Sequence, residues 1–201
     1  MGRNSGGVSG SGAGKVKANK GATETGYTAK MVKNIVGIEQ KYRNNKDETL
    51  HVFTPTGDIV TSFGGKGAKV VFDGSKVPQN AILTHNHPRS IGKTGIKSIG
   101  NSFSVHDIAS AVRCNAKEMR AVTPTYTFSI KRPKGGWGGD YKSIVKEFNK
   151  VSNKVFKNNS DYVYKQGYSQ SAADRAEVTH FHLVMKAMSK KYGWEYSKKK
   201  G

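Results

Sequence analysis

This chain is short of cysteine, and short of acidic residues relative to basic ones. Cys114 is the single cysteine. It excludes a disulfide within the chain and a zinc site built from several thiolates. Any metal must then be held by histidine and carboxylate. Long apolar runs are missing as well. None approaches the roughly 20 residues that span a bilayer, so no membrane association is expected. The opening segment, MGRNSGGVSGSGAGKVKANKG, lacks the apolar stretch of a secretory signal, and the expected location is cytoplasmic. Hydrophobic residues make up 35% of the 201 positions. That is lean for one compact core, so part of the chain is expected to stay unpacked.

The shortage of acids leaves a large imbalance. Fourteen Asp and Glu stand against 34 Lys and Arg, a formal net charge of +20. Such an excess attracts polyanions, and non-specific nucleic-acid binding through basic tails is expected. The basic residues are spread along the chain, without helix-turn-helix or zinc-finger spacing.

Residues 1–27 read as a disordered basic tail. Met31, Val32, Ile35, Ile38 and Tyr42 recur at helical spacing, which predicts an amphipathic helix ending near Asn44. ETLHVFT, the turn PTGD and IVTSF predict a β-hairpin over 48–63. AKVVF is a short strand or an irregular apolar segment. AILTH is a short central strand. The glycine-containing stretch 89–103 reads as a long mobile loop, and SVHDIASAVRCNAK as a helix. EMRAVTPTYTFSIKRP predicts two antiparallel strands about Thr123-Pro124, and KGGWGGD a linker. Helices are expected over 140–158 and about 170–192, joined by a segment with Tyr162, Tyr164 and Tyr168. SKKKG reads as a basic tail. The pattern predicts an α/β domain over 28–135 and a basic helical extension over 136–201.

Three short motifs carry candidate chemistry. HNHP contributes His85 and His87, which lie two apart and so share one face of an extended strand. FSVHDI contributes Ser104 and Asp107 at the start of a helix. DETL contributes Glu48 at the start of the hairpin. Two histidines and an aspartate suit Zn2+ with a fourth position open to water. A carboxylate could then act as base, and a nearby hydroxyl could hold an oxyanion. Glu39, Asp47 and Asp58 compete with Glu48 for the role of base. Ser104-x-x-Asp107 is also an ordinary helix cap, a role that can coexist with metal binding.

HNHP followed by S-x-x-D resembles the JAMM (MPN+/JAB) metalloproteases and their RadC-like relatives, over about residues 46–133. The run from ETLHVF to YTFSIKRP also looks like a module of phage head-morphogenesis (MuF-type) and minor capsid proteins. The resemblance implies a cytidine-deaminase-like mixed sheet with flanking helices. It implies zinc on His85, His87 and Asp107, Ser104 at the oxyanion and Glu48 as base. The implied activity is hydrolysis of a peptide or isopeptide substrate by a phage- or mobile-element-associated protein, with virion proteins as partners and the virion as a second location. The stretch between His87 and Ser104 is longer than the family pattern, and extra loop length costs little free energy. The alternative is a basic virion or nucleic-acid-associated packaging protein that uses the same fold without catalysis.

Among the remaining residues, His180 and His182 lie two apart on a helix and make a poor metal pair. His106 is expected to face solvent, and His51 to be structural. Cys114 reads as a small core residue, and Trp137 and Trp194 as buried aromatics rather than base-stacking ones.

Overall fold

The computed structural model describes residues 27–88 and 101–201. The expected tail up to residue 26, and residues 89–100 of the expected loop, lie outside the described residues.

Among the described residues, six strands form one mixed sheet in the order β2-β1-β3-β4-β5-β6. Helix α1 (Ala29–Tyr42) starts at Thr28, whose hydroxyl accepts from the Met31 N–H. It buries Met31, Ile35, Glu39 and Tyr42 on one stripe. Val32, expected in that stripe, is exposed, and Glu39 takes the inward place. A buried carboxylate needs a partner. Arg120 supplies a two-pronged one, Nε to Oε1 at 2.6 Å and Nη2 to Oε2 at 2.9 Å, and Thr84 donates at 2.9 Å.

Strands β1 (Thr49–Phe53) and β2 (Ile59–Gly64) form the expected hairpin. The segment 68–72 is irregular rather than a strand. Strand β3 (Ile82–Asn86) is wholly buried, antiparallel to β1 and parallel to β4 (Glu118–Val122). A parallel neighbour requires a crossover, and α2 (Val105–Arg113) lies within it. Strand β5 (Tyr126–Lys131) returns antiparallel to β4.

Strand periodicity sends alternate residues to opposite layers. Ile82 and Phe53 join Tyr27, Met31 and Ile35 under α1. Leu83, Val52, Met119 and Ala121 join the larger core on the other side, with Ile108 of α2.

The C-terminal third differs from its sequence reading at three points. Helix α3 (Tyr141–Lys165) runs past 158 and takes in Tyr162 and Tyr164. No glycine or proline interrupts it until Gly167, where left-handed Gly167 and Tyr168 turn the chain into α4 (Gln170–Tyr192). The final residues are strand β6 (Glu195–Lys200), antiparallel to β5, not a tail. Gly193, at φ 70°, ends α4, and buried Trp194 donates its indole N–H to the Trp137 carbonyl at 3.0 Å. That anchor delivers a lysine-rich segment to a free edge, where main-chain pairing needs no apolar side chains. Trp137, Ile144, Phe148, Val184, Met185, Met188 and Trp194 belong to the same core as Leu50, Leu83 and Phe128. At the other end, Tyr27, read as part of the tail, is buried with its hydroxyl on Glu118.

Candidate metal centre

The cluster assembles at the end of β3. His85 is the fourth residue of that strand and is 2% exposed. The His87 N–H donates to the Val122 carbonyl at 2.8 Å, so the extended backbone continues beyond the strand. Both imidazoles therefore emerge on one face, with their Nε2 atoms 2.8 Å apart. Asp107 enters from the first turn of α2, its Oδ1 3.2 Å from His85 Nε2 and its Oδ2 3.6 Å from His87 Nε2. Leu50 pairs with His85, so Glu48, two residues before Leu50 and just ahead of β1, lies on the same face. Its Oε1 stands 4.0 Å from His85 Nε2. One ligand atom from each of the four residues falls within 4.8 Å of the others.

This donor set fits a metal ion. Atoms bound at 2.0–2.1 Å around a tetrahedral zinc lie about 3.3 Å apart, and the pair distances of 2.8, 3.2 and 3.6 Å among His85, His87 and Asp107 bracket that spacing. The His87 Nδ1 lies 2.8 Å from the Asn101 carbonyl, which can only accept. In the neutral ring the proton sits on Nδ1, and the Nε2 lone pair faces the cluster.

Asp107 also closes the helix cap. Its Oδ2 accepts from the Ser104 N–H at 2.7 Å and the Ser104 hydroxyl at 2.9 Å, while its own N–H donates to Ser104 Oγ at 3.3 Å. The cap is carried by Oδ2 and leaves Oδ1 facing His85. One side chain thus serves as both cap and cluster member.

Charge is balanced inside the cluster. Burial alone would raise the Asp107 pKa, but His85 and His87 outweigh it and hold the carboxyl well below its ordinary range. Burial disfavours the charged form of His87, yet Asp107, Asn101 and Glu48 together bring its pKa above the usual value. Burial pushes the Glu48 carboxyl up, against His85 and His87 and with help from Asp107.

The competitors of Glu48 are engaged elsewhere. Glu39 is locked to Arg120 beneath α1, across the sheet from His85. Asp47 accepts from the Gly67 N–H, and Asp58 from the Thr56 hydroxyl in the hairpin turn. His106 is exposed. His51 stacks near Tyr42 and bonds Ser62 at 2.6 Å. His180 turns to Ser152 and His182 to Tyr196, so they do not converge. Trp137 and Trp194 are both buried, packed edge to face. Cys114 caps α2, and burial raises its thiol pKa.

Two supports escape a sequence reading. Asn86, between the histidines, points to the opposite face and is fully buried. Its Oδ1 accepts from the Thr49 N–H at 2.8 Å, and its Nδ2 donates to the Asp47 carbonyl at 3.1 Å. It therefore clasps the backbone on both sides of Glu48. Ser102, at the approach to α2, bonds Tyr196 of β6 at 2.8 Å, and Tyr196 bonds His182 of α4 at 2.8 Å. Strand alternation shows which way Asn86 points, but no local signal names its partners.

The cluster lines a cleft of about 830 Å³ whose walls include Lys69, Val71, Phe72 and Arg113. No family model, curated protein or solved structure matches the chain. Among the described residues no helix is long and apolar enough to cross a membrane.

Proposed function

We propose that the protein is a zinc-dependent hydrolase of the JAMM/RadC-like class, acting on a peptide or isopeptide bond, on a cytidine-deaminase-like fold. The observation that carries this reading is the convergence of Glu48, His85, His87 and Asp107 at the wall of one cleft. These residues come from three separate stretches of the chain. A bound zinc would supply a Lewis acid and acidify a coordinated water.

The chain's own groups divide the remaining work. His85, His87 and Asp107 hold the metal, and the Asn101 carbonyl orients His87. Glu48 stands farther from His85 than Asp107 does, at 4.0 Å against 3.2 Å, which suits a base rather than a ligand. It takes a proton from the attacking water as the O–C bond forms, and returns it to the leaving nitrogen as the C–N bond breaks. The Ser104 hydroxyl, on the cleft wall, stabilises the developing oxyanion once it rotates from Asp107.

The test combines metal content with a substitution. Purified protein should hold about one equivalent of zinc by elemental analysis, and His87→Ala should lose most of it. Glu48→Gln should keep the zinc and slow cleavage in a peptide and isopeptide library by roughly a hundredfold or more. Protein that takes up no zinc even when it is supplied would end this reading.

A further inference from the structure

We infer that the exposed face of α3 binds single-stranded nucleic acid, with Lys146, Lys150 and Lys157 on the phosphates and Tyr164 stacked on a base. The helix carries Lys142, Lys146, Lys150, Lys154, Lys157 and Lys165 against two acids, Glu147 and Asp161. Glu147 is taken by Lys191 of α4 at 2.7 Å. Asp161 sits on the flank of the row.

At about 100° per residue, Lys146, Lys150, Lys157 and Tyr164 fall within roughly 40° of arc. Lys142 and Lys154 flank them. The buried stripe of Ile144 and Phe148, with half-buried Val151 and Val155, is centred about 150° away. The lysine row therefore points straight out from the fold, and every member is exposed. Lys146 and Tyr164 are about 27 Å apart along the axis, enough for several nucleotides.

The tyrosine separates this surface from a merely solvated charged face. Tyr164 is 65% exposed and Tyr168 71%, so neither ring serves the core. Tyr168 meets Tyr164 edge-on at 5.6 Å and steadies it. A row of cations leading to an exposed aromatic is how single strands are held without reading sequence: phosphates on the charges, a base on the ring. A lipid surface fits less well. A helix lying on a membrane buries its apolar face in lipid, and the stripe of Ile144, Phe148, Val151 and Val155 on α3 is covered by the protein's own core, which leaves Phe156 exposed beside it.

The proposal does not rest on the metal site. Its test is binding of labelled dT20 to the full chain, measured at several salt concentrations. Lys146→Gln, Lys150→Gln and Lys157→Gln together should weaken binding at least tenfold at low salt. They should also flatten the log–log salt slope by about 2, from roughly 0.7 per phosphate contact on a single strand. Tyr164→Ala should weaken dT20 binding by about fivefold to a hundredfold and leave duplex DNA binding unchanged. Thermal melting, unchanged for these exposed substitutions, checks that the variants fold. An unaltered affinity and slope in the triple variant would assign binding to another basic segment and overturn the proposal. Equal losses for dT20 and duplex in Tyr164→Ala would remove the stacking role. Phosphatidylserine vesicles displacing dT20, with the triple variant losing vesicle binding instead, would make the surface a membrane site.

Discussion

Asn86 shows at the scale of one residue how the cluster is held. It sits between two candidate ligands yet touches neither partner of the metal site, because strand alternation turns it through the sheet. There it ties down Thr49 and Asp47, the neighbours of Glu48. Asn86→Ala removes both bonds but leaves His85, His87 and Asp107 in place. The backbone groups it served lose their partners, at a cost of about 1–3 kcal/mol for each that stays buried. A lower urea midpoint with unchanged metal stoichiometry is the expected result. A shift of 1 Å in a reacting group can cost about a hundredfold in rate, so on the proposed hydrolase reading cleavage should fall too. An unchanged urea midpoint would show that the clasp adds nothing.

At the scale of elements, β6 and α4 reach toward the site through His182, Tyr196 and Ser102. Burial, then the charges of Lys198 and Lys186, hold the His182 pKa below its ordinary 6.5. The sign follows. Between the lowered folded value and 6.5 the unfolded chain binds more protons, so stability rises with pH there. Above 6.5 the contribution is complete, and it is lost as the pH falls through that window. His51 and His180 are lowered by burial and act in the same direction. His182→Gln should therefore flatten, without abolishing, the rise of stability with pH below 6.5, read from urea unfolding at stepped pH. A slope identical to the parent's would remove His182 from the account.

For the whole molecule, the decisive feature is a core that crosses the boundary at residue 135. Seven large buried side chains beyond it, from Trp137 to Trp194, pack with the sheet. At about 1.5–3 kcal/mol for each fully buried large apolar side chain, their burial rivals the 5–15 kcal/mol by which typical domains are stable. The full chain should unfold in one cooperative transition. A chain ending at residue 135 should lack such a transition and bind a hydrophobic dye. A cooperative melt from the shortened chain would restore a two-part organisation.

Local periodicity was enough for most elements: the amphipathic α1, the 48–63 hairpin, the buried β3 and the α2 that begins at Ser104. Those patterns reflect a residue's contacts with near neighbours and the layer it faces, so they can be read in order along the chain. The placing of His85 and His87 on one face, and Asp107 in the first turn of α2, was legible for the same reason. The sequence placed Glu48 first by its position in the hairpin but left Glu39, Asp47 and Asp58 as competitors, and which of them joins the cluster was a choice for the tertiary structure. That choice depended on the pairing of Leu50 with His85 and on which side of the sheet α1 covers. A register slip of one residue would have turned Glu48 to the opposite face. Strand β6 was hidden likewise, since EYSKKK owes its order to the open edge of β5 and the buried Trp194 before it. Main-chain pairing between distant segments leaves no periodic mark in a polar strand, so only the tertiary structure could decide it.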